Sequence, residues 1–163
     1  MSINEKDQRR FLAKVGLPDE QGCMPWLASV DAYGYGQIAL CANGRQRNGK
    51  AHRIMHELFI GPIPAGLDVD HRCGNRICVA PDHLRAATRK QNMENLGGAR
   101  RDSKTGVRGV SLHRGTGKWA VKVGHHRRSI HIGLFDSIEE ADRAAHAARA
   151  QLFTSDDRDR TAS

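Results

Sequence analysis

Cys73, Cys78 and His83 follow one another at five-residue intervals inside DHRCGNRICVAPDHLRAATRKQNMEN, residues 70–95. A loop containing Gly and Pro can bring two thiolates and an imidazole onto one tetrahedral ion, and such a knot dictates the path of the chain around it. Asp70 and His71 stand immediately before the knot. A structural metal there would hold His71 rigidly, which suits a general base, because proton transfer demands close placement.

A chain of 163 residues forms one domain or two small ones, and small domains bury too little apolar surface to rely on core packing alone. Only 39% of the residues are hydrophobic and 5% aromatic, so the cores are modest and a bound metal would contribute folding free energy. The formal charge of +8, with Lys and Arg clustered at 45–53, 85–90, 100–108 and 114–128, points to nucleic acid and not to an acidic small substrate. No apolar run suits a signal peptide or a bilayer span, which predicts a cytosolic protein without a membrane partner. In a reducing compartment the four Cys read as metal ligands or buried thiols, not disulfides.

Along the chain, residues 1–20 predict an N-terminal helical segment, with Ile3, Phe11, Leu12 and Val15 apolar and Gly16-Leu17-Pro18 as its stop. GYGQIALCANGRQRNGKAHR predicts a strand, a turn and a return, AHRIMHELFIG a helix, and Leu67–Asp70 a further strand. After the Cys/His loop, Thr88 with Gln91 three residues on predicts a capped helix with Asn92 in its first turn. GARRDSK predicts a linker at 98–104. GVRGVSLHR, KWAVKVG and RRSIHIGLF then predict a three-stranded antiparallel sheet, and Ser137 with Glu140 caps a helix whose small apolar stripe packs on that sheet. Residues 154–163 predict a disordered charged tail.

GCMPW, GYG, AHRIMHELFIGPIPAGL, DHRC, CVAPDHL and TRKQNMEN, over residues 21–97, resemble a zinc-braced HNH endonuclease of the phage and intron homing type. The resemblance implies an α+β chain with a ββα-metal (His-Me finger) fold. It implies His71 as general base, Asp70 and Asn92 on a catalytic divalent ion, and Cys23, Cys73, Cys78 and His83 on structural zinc. Cys41, on an alternating strand, is the other candidate for the fourth zinc ligand, and Cys23 is preferred because it matches the family position. One carboxylate and one amide oxygen are hard donors, so Mg²⁺ or Mn²⁺ suits that site. Phosphodiester hydrolysis needs a deprotonated water and charge stabilisation on the leaving oxygen, and His71 beside a carboxylate-metal site supplies both. Activity is then expected to fall as pH drops through the titration of His71.

His52 and Arg53 are candidates for a DNA phosphate, with helix-surface roles as the alternative. Ala80 stands where the family carries the Asn of its name, and Met24 where an aromatic residue follows the first Cys. GVRGV, Trp119 and IHIGLFDSIEEADRAAHAARAQLF resemble an AP2 DNA-binding domain over residues 105–153, a family that reads the major groove with a three-stranded sheet. Arg108, Arg114, Trp119, Lys122, Arg127 and Arg128 are its candidate contacts, with a sheet-core role as the alternative for Trp119. The expected whole is a duplex-DNA endonuclease, homing or phage-type, monomeric or homodimeric, acting in the cytoplasm of its host if phage-encoded. Its rival is a DNA-binding regulator or packaging accessory with a degenerate nuclease fold. RNA binding is disfavoured because the sheet lacks exposed aromatics for stacking bases.

Overall fold

The computed structural model describes residues 3–42, 45–99 and 102–154, so the tail expected beyond Thr154 lies outside the described residues. The chain divides into two compact units, one ending at Arg89 and the other beginning at Lys90. Among the described residues no helix is long and apolar enough to cross a membrane.

In the first unit, α1 (Glu5–Leu12) is capped by Asn4, whose side chain accepts the Asp7 amide at 2.8 Å. The helix is shorter than its apolar pattern suggests, because Val15 leaves it to bridge with Trp26. β1 (Gln37–Ala42) and β2 (Arg45–Lys50) form an antiparallel hairpin leading directly into α2 (Ala51–Phe59). β3 (Asp68–His71) and β4 (Leu84–Ala87) form a second antiparallel pair, in which Asp70 faces Arg85 and His71 faces Leu84. The Cys-rich loop and a 3-10 turn, Pro81–His83, fill the interval between them. Phe11, Trp26, Ile38, Leu40, Ile54, Met55, Val69, Val79 and Leu84 make one apolar core that joins α1, both hairpins and α2.

α3 (Arg89–Glu94) starts directly after Thr88 and crosses the division between units, which thus falls ahead of the segment 98–104. In the second unit, β5 (Val110–His113), β6 (Lys118–His125) and β7 (Arg128–Phe135) form the three-stranded antiparallel sheet. β5 is cut short at its start because Gly109 takes φ +82° and lies against β6, where a Cβ would come within 2.6 Å of the Lys122 carbonyl. α4 (Ile138–Leu152) begins at Ser137, whose hydroxyl accepts the Glu140 amide at 3.1 Å. Its Ala141 and Ala145 pack on Val110 and Val121, since small residues let a helix approach a sheet closely.

Candidate metal knot and histidine site

The segment around Cys23 lies beside the Cys78 loop because their backbones pair. The Trp26 amide donates to the Ile77 carbonyl at 2.9 Å, and the Val79 amide to Met24 at 2.8 Å. Asp19 shapes the approach by accepting the Cys23 amide at 2.8 Å. This pairing brings Cys23, Cys73, Cys78 and His83 together, with one ligand atom from each lying within 4.8 Å of all the others. Cys41 lies exposed on β1.

Nδ1 of His83 is 3.4 Å from the Cys23 sulfur and 3.5 Å from that of Cys78. A tetrahedral zinc with ordinary bond lengths would separate sulfur and nitrogen by about 3.5 Å, so the donor set fits such an ion. The Cys78 thiol, hydrogen-bonded to Cys73, holds the Cys73 thiol down at about 5 and is itself pushed up. One thiolate is therefore already favoured, as a cation-binding cluster requires. The Ala80 amide lies 3.4 Å from the Cys78 sulfur, so residue 80 contributes through its backbone whatever its side chain.

His71 is 5% exposed at the end of β3, and its Nε2 lies 2.9 Å from the Cys78 carbonyl. A carbonyl can only accept, so Nε2 carries the hydrogen and the neutral ring keeps its lone pair on Nδ1. Cys78 thus links the Cys/His knot to the imidazole. Asp70, also 5% exposed, receives Nε and Nη2 of Arg85 on Oδ2 at 3.1 and 2.9 Å. Arg85 was not singled out from the sequence; only the strand register, which sets it opposite Asp70, reveals it.

His52 is 7% exposed, far from the phosphate-facing position expected for it. Its ring centroid is 4.8 Å from that of His71 and 5.2 Å from that of Tyr35, which is itself 5.9 Å from His71. Burial above all, with the nearby Arg53 and Lys50 cations, brings its pKa down to about 3, so the ring is neutral. Its Nδ1 is buried without a hydrogen-bond partner. Tyr35 comes from the GYG turn, where Asp31 accepts the Tyr33 and Tyr35 amides at 2.8 and 3.0 Å, and Arg76 lies over its ring at 5.6 Å. Arg53, next to His52 on α2, is half-buried. Asn92 is half-buried on α3, within the second unit.

In the second unit the register puts Trp119 opposite Phe135 and Val121 opposite Val110, and all four pack toward α4. Trp119 is thus part of the sheet core. Lys122, exposed, alternates onto the other face, level with His131. Arg114 is exposed in the β5–β6 turn. His126 and Arg127 form the β6–β7 turn with φ of 47° and 61°, both left-handed, and Arg127 and Arg128 are exposed there. The Arg108 guanidinium is turned onto α3: it donates to the carbonyls of Met93 and Glu94, each at 3.0 Å, and to that of Leu96.

Residues 49–94 match the sequence pattern of the family described as HNH endonuclease. The chain is 34% identical over 79 residues to Protein 7.7 of Escherichia phage T7, covering 47% of this chain and 55% of that one. It is 35% identical over 78 residues to Protein 2.8 of the same phage, covering 46% and 49%. The chain therefore spans about half the length of these T7 relatives. Against the uncharacterized gene 5.3 protein of Enterobacteria phage T3 the identity is 30% over 71 residues, 44% of this chain and 70% of the relative. Among solved structures it is similar to the HNH homing endonuclease I-HmuI, in a structure of DNA binding and cleavage, at 29% identity and a TM-score of 0.39 over 48% of this chain and 45% of that one. With the matched segment running from β2 through α3 and holding Asp70, His71 and Asn92, the chain carries an HNH endonuclease domain over residues 49–94.

Proposed function

We propose that the protein is a metal-dependent endonuclease that hydrolyses duplex DNA. The observation that carries this is the hydrogen bond from His71 Nε2 to the Cys78 carbonyl, which leaves the lone pair of a neutral ring on Nδ1. In the proposed reaction Nδ1 takes a proton from water as its oxygen adds to phosphorus and the P–O3′ bond breaks, and the leaving O3′ takes a proton from solvent water, giving a 3′ hydroxyl and a 5′ phosphate. The imidazolium then keeps its Nε2–H bond to Cys78 and returns the proton to solvent. Asp70 and Asn92 would hold Mg²⁺ or Mn²⁺, which supplies charge stabilisation at the phosphate and leaving oxygen when bound. His52 and Tyr35 flank the His71 ring and hold its orientation.

Cys23, Cys73, Cys78 and His83 serve as a structural zinc site, supported by the soft donor set and its spacing. The second unit serves as an AP2-like DNA-binding module. Lys122, Arg114, Arg127 and Arg128 are its contact residues, supported by their exposure, and Arg53 contacts a phosphate beside the histidine site. A homing or phage-type role in the cytoplasm of a host belongs to the same reading, and the phage relatives support its phage side.

A second reading is favoured by the Asp70–Arg85 pair, because a guanidinium on Oδ2 competes with a divalent ion for that carboxylate. On it the protein binds DNA without cutting. Incubation of supercoiled plasmid with zinc-loaded protein, with and without Mg²⁺ and beside His71→Ala, separates the two. Mg²⁺-dependent cutting that the substitution abolishes supports the endonuclease and reads nicking against double-strand breakage. Equal DNA binding by both proteins with no cutting supports the second reading.

A further inference from the structure

α3 has six residues, too few to hold a helix by its own hydrogen bonds, and its last carbonyls need outside donors. Arg108 supplies donors from the loop before β5: Nη1 reaches the Glu94 carbonyl and the Leu96 carbonyl just past the helix, and Nη2 the Met93 carbonyl. The guanidinium is held in turn, with its Cζ 5.4 Å from the centre of the Phe153 ring. The backbone carbonyl of Arg108 accepts Nη1 of Arg149, a buried residue of α4, at 2.9 Å. A second fastening grips the same helix. Glu94, 5% exposed, accepts the amide and hydroxyl of Thr154 on Oε2, both at 3.1 Å, and pairs with Lys90 through Oε1 at 3.0 Å. Asn92 lies one residue before the first carbonyl that Arg108 binds.

We propose that Arg108 is a positioning residue for Asn92, holding the end of the short helix that carries this proposed metal ligand. The proposal rests on the endonuclease reading through Asn92. Two carbonyls at the end of α3 and one just beyond it match the rigid fork of a guanidinium, which a lysine ammonium cannot reproduce. A basic residue that sequence alone assigns to DNA is thus spent inside the protein, and its effect reaches the chemistry through helix geometry.

The test compares Arg108→Met and Arg108→Lys with Asn92→Ala in the full chain, by three measurements. These are hydrogen exchange of the α3 amides without divalent ion, Mn²⁺ binding by electron paramagnetic resonance together with the Mn²⁺ concentration for half-maximal cleavage, and duplex affinity in EDTA. Arg108→Met is expected to speed α3 exchange about tenfold, leave β6 exchange unchanged, and raise the Mn²⁺ requirement about tenfold, with duplex affinity within about twofold. Arg108→Lys is expected between the two, which keeps the proposal testable if the Met variant folds poorly. Unchanged α3 exchange and Mn²⁺ requirement with a tenfold loss of duplex affinity overturns the proposal and makes Arg108 a DNA contact. Faster exchange with an unchanged Mn²⁺ requirement overturns it too, leaving a structural clamp. If the wild-type protein neither cuts nor binds Mn²⁺, the endonuclease reading fails and takes the positioning of a metal ligand with it.

Discussion

His71 donates its Nε2 hydrogen to the carbonyl of Cys78 across 2.9 Å, and the sulfur of that same Cys78 lies 3.5 Å from Nδ1 of His83 in the four-residue knot. One residue therefore fixes the tautomer of the proposed base and belongs to the group that can hold a metal. If the knot holds an ion, as proposed, the coupling is mechanical, because losing the ion would loosen the loop whose carbonyl orients His71.

Removing the metal is expected to disorder the first unit. Cys23→Ser and Cys78→Ser should lose bound zinc and melt at markedly lower temperature, whereas Cys41→Ser, on an exposed strand position, should keep both. Metal content and thermal melting, with and without a chelator, check this.

Substituting His71 by Ala should lower cleavage by about 10²- to 10⁴-fold, the range of general-base contributions, while duplex affinity in EDTA stays the same. Single-turnover cleavage beside a binding titration reads both. A parallel loss of binding would mean that His71 contacts the substrate or supports the fold.

His52, with its folded pKa brought down to about 3 against an ordinary value of 6.5, makes stability depend on pH. The unfolded chain binds the proton more readily, so the stability is fully present above about 6.5 and is lost as pH falls toward about 3. The slope from this one group cannot exceed about 1.4 kcal/mol per pH unit. Denaturant unfolding between pH 4 and 7 should show that slope, and His52→Phe, which keeps a flat ring, should flatten it.

Arg85→Ala leaves Asp70 buried without its guanidinium partner, which should cost about 1–3 kcal/mol. If Asp70 takes a divalent ion, Mg²⁺ should restore more melting temperature to this variant than to the wild type. Equal Mg²⁺ effects on the two proteins would count against Asp70 as a metal ligand.

At the β6–β7 turn, His126 and Arg127 adopt left-handed conformations that favour Gly or Asn. Arg127→Gly should stabilise the protein by about 1 kcal/mol by relieving that backbone. It should also weaken duplex binding and reduce the slope of log affinity against log salt by about 1, the signature of one lost phosphate contact. An unchanged salt slope would exclude Arg127 from the interface.

The sequence by itself determined the elements whose signals are local. Alternating apolar residues marked β6 and β7, Ser137 with Glu140 marked the start of α4, and the Cys and His spacing at 73, 78 and 83 marked the knot. Each depends on neighbours within a few residues, where turn chemistry, capping and strand alternation act. What tertiary structure alone decided involves partners far apart in the chain. Cys23 and Cys41 are chemically equal in sequence, and only the pairing of residues 24–26 with 77–79 brings Cys23 to the knot. Arg85 meets Asp70 only through strand register, and His52 reads as a surface histidine until α2 turns it against His71. Arg108 looks like any cation of a basic sheet until its fork is seen on the carbonyls of α3. A charged side chain carries no local mark of whether it will face a phosphate or a carbonyl, because that choice depends on which backbone groups the rest of the fold leaves without partners.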